Sequence, residues 1–183
     1  MNVYDMDDLE ESVHWYAARV RYGTEIKIKA YLDEIKIEHF IPFKTITIEY
    51  KGQKRTEEKP LIPRIIFVRT TCSKALSLPH DSGYRVSYIR NIDTKEIQII
   101  PDKQMEDCMF IFKMSDKSFN ICGANVQLGD KVHVVRGPFA GIEGELVRIK
   151  GHKRVIVRIE SVFSLAANYI PDEYLVKFEH TVK

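Results

Sequence analysis

The sequence has few cysteines and no long apolar run, and each absence excludes a class of protein. Its three cysteines, Cys72, Cys108 and Cys122, are odd in number and far apart, without a C-x-x-C pair. We therefore expect neither a disulfide framework nor a structural zinc site. No window approaches the roughly 18–20 consecutive apolar residues that span a bilayer, and the acidic N-terminus is unlike a signal peptide. These features predict a cytoplasmic protein that does not contact a membrane.

Catalytic signatures are also missing from the sequence. No glycine-rich phosphate loop follows a strand pattern, and His14, Asp81 and Ser82 lack the spacing of any known catalytic triad. We accordingly expect no enzymatic activity, no cofactor and no metal.

The charge is divided unevenly along the chain. Residues 1–12 contain five acidic residues and no lysine or arginine, so they carry −5 and leave +7 for the rest of a chain with formal net charge +2. A basic body of this kind can bind nucleic acid. An ordinary solvated surface explains the same charge, and both interpretations stay open.

Residues 13–112 combine strand and helix patterns. The run VHWYAARV from Val13 predicts a first strand, Thr24 is a candidate N-cap, and a second helix is predicted from Asp102. The helix-spaced apolar residues are Ile28, Tyr31, Leu32 and Ile35, and then Met105, Cys108, Met109 and Phe112. Between the helices, EHFIPF, TITIEY, LIPRIIFVR, YRVSYIR and EIQII predict strands, and KGQKRTEEK predicts a polar loop. We expect an α+β domain, with an antiparallel sheet flanked by helices.

The rest of the chain has no helical periodicity. Residues 113–124 mix polar residues with a glycine and predict a linker. From residue 125 to 183, the runs KVHVVRG, GELVRI, RVIVRI and YLVKF are short strand patterns separated by glycines. The expected organisation is a disordered acidic tail (1–12), the α+β domain (13–112), the linker and a small all-β barrel (125–183).

Two motifs carry a resemblance to a known family. The segment LGDKVHVVRGPFAGIEG, residues 128–144, resembles a KOW motif, whose glycines shape a turn and whose Gly144 admits a close backbone approach. HWYA at 14–17 and KPLIPRIIFV at 59–68 resemble the N-terminal domain of NusG-type transcription elongation factors. Within that family, the Pro63-Arg64 dipeptide and residues 150–158 look most like the specialised paralogues RfaH and UpxY.

The resemblance implies a transcription factor with an NGN-like α+β domain and an SH3-like KOW barrel. Such a protein would bind RNA polymerase at the clamp helices and suppress pausing or termination, here at selected operons such as surface-polysaccharide clusters. Two alternatives stay open: a general NusG-type elongation factor, and a KOW RNA-binding or ribosome-associated module. We expect a monomer.

The polymerase-binding residues implied by the family motif are Trp15, Ile62, Ile65, Phe67 and Ile89. They would form an apolar pocket for the clamp-helix tip. The family's usual Phe and Tyr in the central motif are Ile62 and Ile65 here, which keeps an apolar surface but loses aromatic faces. The alternative is that all five belong to the core, as most apolar strand residues do.

Further contacts are implied by motif position. Non-template DNA would be bound by Arg21, Lys27, Tyr31 and Arg85, through phosphate contacts, base-edge contacts or stacking. Lys27 also fits a solvated helix face, and Tyr31 fits the apolar helix stripe. A second polymerase contact would come from a loop with Ser73, Lys74 and Ser77.

In the KOW segment, Phe139 and Phe163 match positions that present apolar groups to partners such as a ribosomal protein or the termination factor Rho. General NusG proteins have an arginine where Leu165 stands, so the Rho and ribosome contacts stay open. The barrel core is the alternative place for Phe163. A basic strip of this segment could contact RNA or be a solvated hairpin; it comprises Lys150, His152, Lys153, Arg154 and Arg158.

Overall fold

The computed structural model describes residues 12–50, 52–114, 119–122, 129–149, 152–159, 162–167 and 170–178. The chain divides into two compact units, residues 1–99 and residues 100–183. The predicted acidic tail, apart from Ser12, lies outside the described residues. Within the described ranges, no helix is long and apolar enough to cross a membrane.

The first unit is built on an antiparallel sheet. Its elements are β1 (Val13–Val20), α1 (Glu25–Glu34), β2 (Glu38–Phe40), β3 (Phe43–Tyr50), β4 (Gln53–Pro60), β5 (Ile65–Thr71), α2 (Cys72–Asp81) and β6 (Val86–Tyr88), and β7 (Ile99–Ile100) spans the division between the units. The strand order of the sheet is β2-β5-β1-β6, while β3 and β4 form a separate two-stranded hairpin. Strand β1 thus lies between β5 and β6.

The sheet has two apolar faces because successive side chains of a strand point to opposite sides. Tyr16, Ala18 and Val20 of β1 share one buried core with residues of α1 and α2. Trp15 and Ala17 alternate with them and lie on the other side of the sheet, which we call the Trp15 face. The predicted first strand is therefore confirmed.

Helix α1 forms where the helical spacing predicts it, and it buries Ile28 and Leu32. Thr24 precedes the helix, but its hydroxyl does not cap it. That hydroxyl donates instead to the carbonyl oxygen of Arg21 at 2.6 Å. Glu25 in the first turn is only 2% exposed, an unusual position for a carboxylate.

Two predicted loops of the first unit are regular elements instead. The polar run KGQKRTEEK contributes most of β4, which pairs with β3 along its whole length. Its side chains are polar on both faces, so no alternation marks the strand. The predicted loop with Ser73, Lys74 and Ser77 belongs to helix α2, in which Thr71 accepts the N–H of Lys74 at 3.3 Å. Pro79 lies inside α2 and hides its pattern, because proline usually ends a helix.

Among its described residues, the second unit contains one α-helix and an antiparallel sheet. Its elements are α3 (Asp102–Lys113), β8 (Phe119–Cys122), β9 (Asp130–Val134), β10 (Glu143–Ile149), β11 (His152–Ile159), β12 (Phe163–Ala167), a 3₁₀ helix (Asp172–Tyr174) and β13 (Leu175–Lys177). The strand order is β13-β9-β10-β11-β12-β8. This sheet agrees with the expected all-β C-terminal region, and the KOW barrel stays a prediction.

Helix α3 is fastened to this sheet by a buried carboxylate. The Asp107 carboxylate accepts hydrogen bonds from Lys103 Nζ at 2.5 Å and from the backbone N–H of Glu143 at 3.1 Å. The same Lys103 Nζ donates to the carbonyl oxygen of Gly141 at 2.7 Å. The start of β10 is therefore tied to α3 through groups that would otherwise lose hydrogen bonds on burial.

Part of the predicted linker is also regular structure. Residues Phe119–Cys122 form β8, which pairs with β12. Phe119 packs edge to face against Phe112 of α3, with ring centroids 5.5 Å apart. Aromatic packing of this kind stabilises the end of α3 against the sheet, and α3 therefore groups with the second unit.

Candidate functional site

The predicted polymerase-binding residues are all buried, and none belongs to the core shared with α1 and α2. Trp15 and Phe67 lie on the Trp15 face, where β1 and β5 pair with Ala17 opposite Phe67. Ile65 shares this face by strand alternation. The structure thus brings the central members together, while their burial is also what the core interpretation expects.

The edge of the Trp15 face is formed by strand β2. Phe40 lies opposite Phe67 in the register, with ring centroids 6.3 Å apart. Next to this pair, Arg69 and Glu38 form an ion pair at 3.2 Å. The apolar centre of the face is therefore bordered by charge on its β2 side.

A pocket of about 530 Å³ lies at the other end of β1 and is lined by arginines. Its lining residues are Arg19, Val20, Arg21, Arg64, Arg85 and Ser87. They converge because the end of β1 lies between the beginnings of β5 and β6. Arg19 pairs with Ile65 on one side and with Ser87 on the other. We call this the arginine pocket.

Arg64 has an unusual backbone conformation that the surrounding groups hold in place. Its φ of +67° is uncommon for a residue with a side chain. The backbone N–H of Arg64 donates to Glu25 Oε1 at 2.9 Å, and its carbonyl oxygen accepts the N–H of Val20 at 2.9 Å. Its Nε lies 3.5 Å from the Val20 carbonyl oxygen. These contacts fix the direction in which the guanidinium leaves the backbone.

The arginine pocket is strongly positive. Among the described residues, no carboxylate forms a salt bridge with any of its four arginines. Guanidinium groups are planar forks that bind phosphate and carboxylate oxygens in pairs. The arrangement can therefore bind an anion with more than one negative group.

Only two of the four predicted DNA-binding residues lie in this pocket, namely Arg21 and Arg85. Lys27 is exposed on α1. Tyr31 is half-buried against the core, with its ring 6.2 Å from that of Tyr84. Both positions match the structural alternatives stated for them.

The sequence reasoning did not single out two members of the pocket as binding residues, Arg19 and Arg64. The sequence did contain a signal for Arg19. Alternate residues of a strand share one face, so Arg19 and Arg21 would lie on the same side of β1 if the strand continued to residue 21. No comparable signal exists for Arg64, whose place depends on a contact with Glu25, 39 residues away in the chain.

The predicted second polymerase contact lies on helix α2. Ser73 and Lys74 are exposed and Ser77 is half-buried. The Asp81 carboxylate accepts hydrogen bonds from Ser77 Oγ at 2.8 Å and from Lys74 Nζ at 3.1 Å. These hydrogen bonds, that from Ser77 first, hold the pKa of the Asp81 carboxyl below its usual range. The ammonium of Lys74 already has an intramolecular partner.

The two predicted partner-binding aromatics of the second unit are buried. Phe139 is 6% exposed and Phe163 is 3% exposed. The ring of Phe163 packs against that of Phe112 at 6.0 Å. Burial is the arrangement that the core interpretation expects for Phe163.

The basic strip of the second unit is largely paired where it is described. Lys153 Nζ lies 2.5 Å from Asp172 Oδ2. Arg158 makes two contacts with the Glu145 carboxylate, at 3.1 and 3.2 Å. Lys150 lies outside the described residues, as does the side chain of His152. The paired members have less charge to offer to an RNA.

Two observations concern metal ligands and thiols. Within the part of the chain that the structure describes, no group of three His, Cys, Asp or Glu side chains could hold a metal ion. Burial raises the pKa of the Cys108 thiol, so this group stays neutral and is a weak ligand or nucleophile.

Comparison with protein families gives a match that covers more than half of the chain. The profile of a family described as "Transcription termination factor nusG" matches residues 13–109. No curated protein matches the sequence.

Two solved structures are also similar. One, described as "Domain interaction in Thermotoga maritima NusG", has 17% identity and a TM-score of 0.44, covering 92% of this chain and 98% of that chain. The other, the MjSpt4:Spt5 complex in conformation B, has 14% identity and a TM-score of 0.28, covering 89% of this chain and 95% of that chain.

Proposed function

The chain belongs to the NusG family, and from this premise we propose that it binds RNA polymerase at the clamp helices and suppresses pausing or termination at selected operons, such as surface-polysaccharide clusters. Members of the family are transcription elongation factors that bind RNA polymerase and are not enzymes. The proposal concerns where the chain binds polymerase, its effect on pausing or termination, and the operons at which it acts.

The observation that supports polymerase binding is the Trp15 face. Trp15, Ile65 and Phe67 are buried on one apolar side of the sheet, apart from the core that α1 and α2 complete. Apolar and aromatic side chains of this kind supply most of the affinity at protein interfaces. Because these side chains are buried, binding through them requires that the face first become accessible.

The arginine pocket supports a contact with the non-template DNA strand. Arg21 and Arg85 line it together with Arg19, which lies on the Trp15 face by strand alternation. A polymerase held at the Trp15 face would therefore have the pocket beside it. Arginine contacts to phosphates position a protein on DNA without reading its sequence.

Sequence features support a specialised factor over a general one. Pro63-Arg64 and the segment 150–158 resemble the RfaH and UpxY paralogues, and Leu165 replaces the arginine of general NusG proteins. We propose that residues 125–183 form a KOW barrel that recruits a further partner. The ion pairs of Lys153 and Arg158 make a free-standing RNA-binding module the weaker alternative.

The first test is a pausing assay with purified RNA polymerase. We expect the full chain to shorten pauses, and Ile65→Glu to abolish this effect because a carboxylate would have to be desolvated on the Trp15 face. Ile46→Glu, on the hairpin β3–β4, is the matched control. Circular dichroism checks that each variant is folded. A wild-type chain that neither binds polymerase nor changes pausing would refute the proposal.

The second test is genome-wide occupancy of the tagged protein, compared with that of RNA polymerase in the same cells. Enrichment over one or a few long operons is expected for a specialised factor. Occupancy that follows polymerase at every transcribed gene would instead identify a general elongation factor.

A further inference from the structure

We propose that Arg19 and Arg64 join Arg21 and Arg85 in one phosphate-binding site for a single nucleic-acid strand, and that Glu25 is the residue that positions Arg64 in it. This inference rests on the proposed contact with the non-template strand and deepens it. It names the chemical groups that are bound, the residues that bind them and the residue that organises the site.

The first step of the argument is charge. Four arginine residues line one pocket of about 530 Å³, and like charges held close together repel one another. Among the described residues, no salt bridge to a carboxylate relieves this repulsion. A ligand with several negative groups relieves it on binding, and successive phosphates of a nucleic-acid backbone are such groups.

The second step is the choice of a single strand. Tyr22 follows Arg21 directly and is 74% exposed. Tyr22 lines a different pocket, but it adjoins Arg21 in the chain, and an exposed aromatic ring can stack on an unpaired base, as single-strand binding sites do. In a duplex the bases are already stacked on each other, so Tyr22 would gain nothing from it. Phosphates held by arginine and a base held by Tyr22 therefore favour an unpaired strand.

The third step is the role of Glu25. Its buried carboxylate accepts the backbone N–H of Arg64 at 2.9 Å, while Arg64 has φ +67°. A non-glycine residue keeps such a conformation only when its surroundings impose it. Glu25 does not line the pocket, so it acts through the backbone of Arg64 and not on the ligand.

The proposal is tested by fluorescence anisotropy with the full chain and a labelled single-stranded DNA oligonucleotide of mixed sequence. The same sequence as a duplex is the comparison ligand. The variants are Arg19→Gln, Arg64→Gly, Glu25→Ala and Glu25→Gln. Arg55→Gln, which removes an exposed arginine of β4 outside the pocket, is the control for loss of one positive charge.

We expect Arg19→Gln and Arg64→Gly each to weaken single-strand binding about tenfold, as loss of a charge-assisted hydrogen bond predicts. Each should also reduce the slope of log K against log salt by about 1. Arg64→Gly should fold normally, because glycine adopts φ +67° without strain. Arg55→Gln should change binding much less.

Glu25 gives the sharper test, because its two variants separate position from charge. Glu25→Ala removes the acceptor of the Arg64 N–H and should weaken binding about as much as Arg64→Gly does. Glu25→Gln keeps an acceptor oxygen and should rescue binding. If Glu25 had only a structural role, its substitution would lower the thermal midpoint, but the two variants would not differ in DNA binding. Thermal unfolding of all variants measures the effect on stability separately.

Several results would overturn the inference. If Arg19→Gln and Arg64→Gly weaken single-strand binding no more than Arg55→Gln does, the pocket is not the binding site. Duplex binding as tight as single-strand binding would remove the argument from Tyr22, and unchanged binding of Glu25→Ala would remove its positioning role. Polymerase binding is scored separately by pull-down, so intact strand binding without polymerase binding would refute the proposed function alone.

Discussion

At the scale of single residues, Gly144 shows how a backbone contact fixes a residue type. A Cβ atom at this position would lie 2.5 Å from the carbonyl oxygen of Ile156 and 2.8 Å from Cγ1 of Val155. Strands β10 and β11 pair at this point, and β11 cannot move away without loss of ladder hydrogen bonds. The close approach predicted from the sequence at Gly144 is therefore present.

Substitution of Gly144 is expected to destabilise the second unit. Gly144→Ala forces β10 and β11 apart, which typically costs about 1–3 kcal/mol when a packed region is overfilled. Urea unfolding followed by circular dichroism measures the change in the free energy of unfolding. Lys131→Ala, at an exposed position of the neighbouring strand β9, should be nearly neutral. If Gly144→Ala is as stable as the wild type, β11 does not approach residue 144 closely enough to exclude a Cβ atom.

At the scale of elements, helix α2 exists although it contains a proline. Thr71 has an extended backbone and its hydroxyl accepts the N–H of Lys74, which satisfies a group that the helix leaves unpaired. Ala75 and Leu78 are buried in the core below the sheet. Capping and burial together therefore outweigh the missing N–H of Pro79.

This balance predicts a graded response at Thr71. Thr71→Ala removes the cap and should lower the free energy of unfolding by about 1 kcal/mol. Thr71→Ser keeps a hydroxyl acceptor and should lose less than half as much. Thermal or urea unfolding of the two variants compares them directly. If both lose the same amount, the hydroxyl does not stabilise the helix as a cap.

At the scale of the whole molecule, the division between the units lies before α3. The carboxylate of Asp107 ties α3 to the start of β10, and Phe112 packs against Phe119 and Phe163. These contacts belong to residues 100–183. A fragment that begins after α3 would lose all of them.

Fragments of the chain test this division. Residues 100–183 should unfold cooperatively, whereas residues 113–183 should be less stable by about 2–4 kcal/mol because a charged hydrogen bond and an aromatic contact are lost. A fragment of residues 95–183 serves as the control and should match 100–183. Equal stability of the two shorter fragments would return the boundary to the predicted linker.

Much of the fold follows from local patterns. The residues of β1 and α1, and the start of α3, were predicted because alternation and helical spacing report which side chains can be buried together. Strand β4 and helix α2 were missed, since a polar hairpin has no alternation and Pro79 masks a helix. Of the candidate site, Arg21 and Arg85 were predicted from a family motif, but Arg19 and Arg64 were not.

The sequence by itself determined the family, the alternation of β1 and the spacing of its helices, because these depend on residues close together in the chain. Only the tertiary structure decided the arginine pocket. Its members come from the end of β1 and the beginnings of β5 and β6, and these meet because β1 pairs with both strands. The contact of Glu25 with Arg64 joins residues 39 positions apart, and no local pattern encodes a pairing of that range.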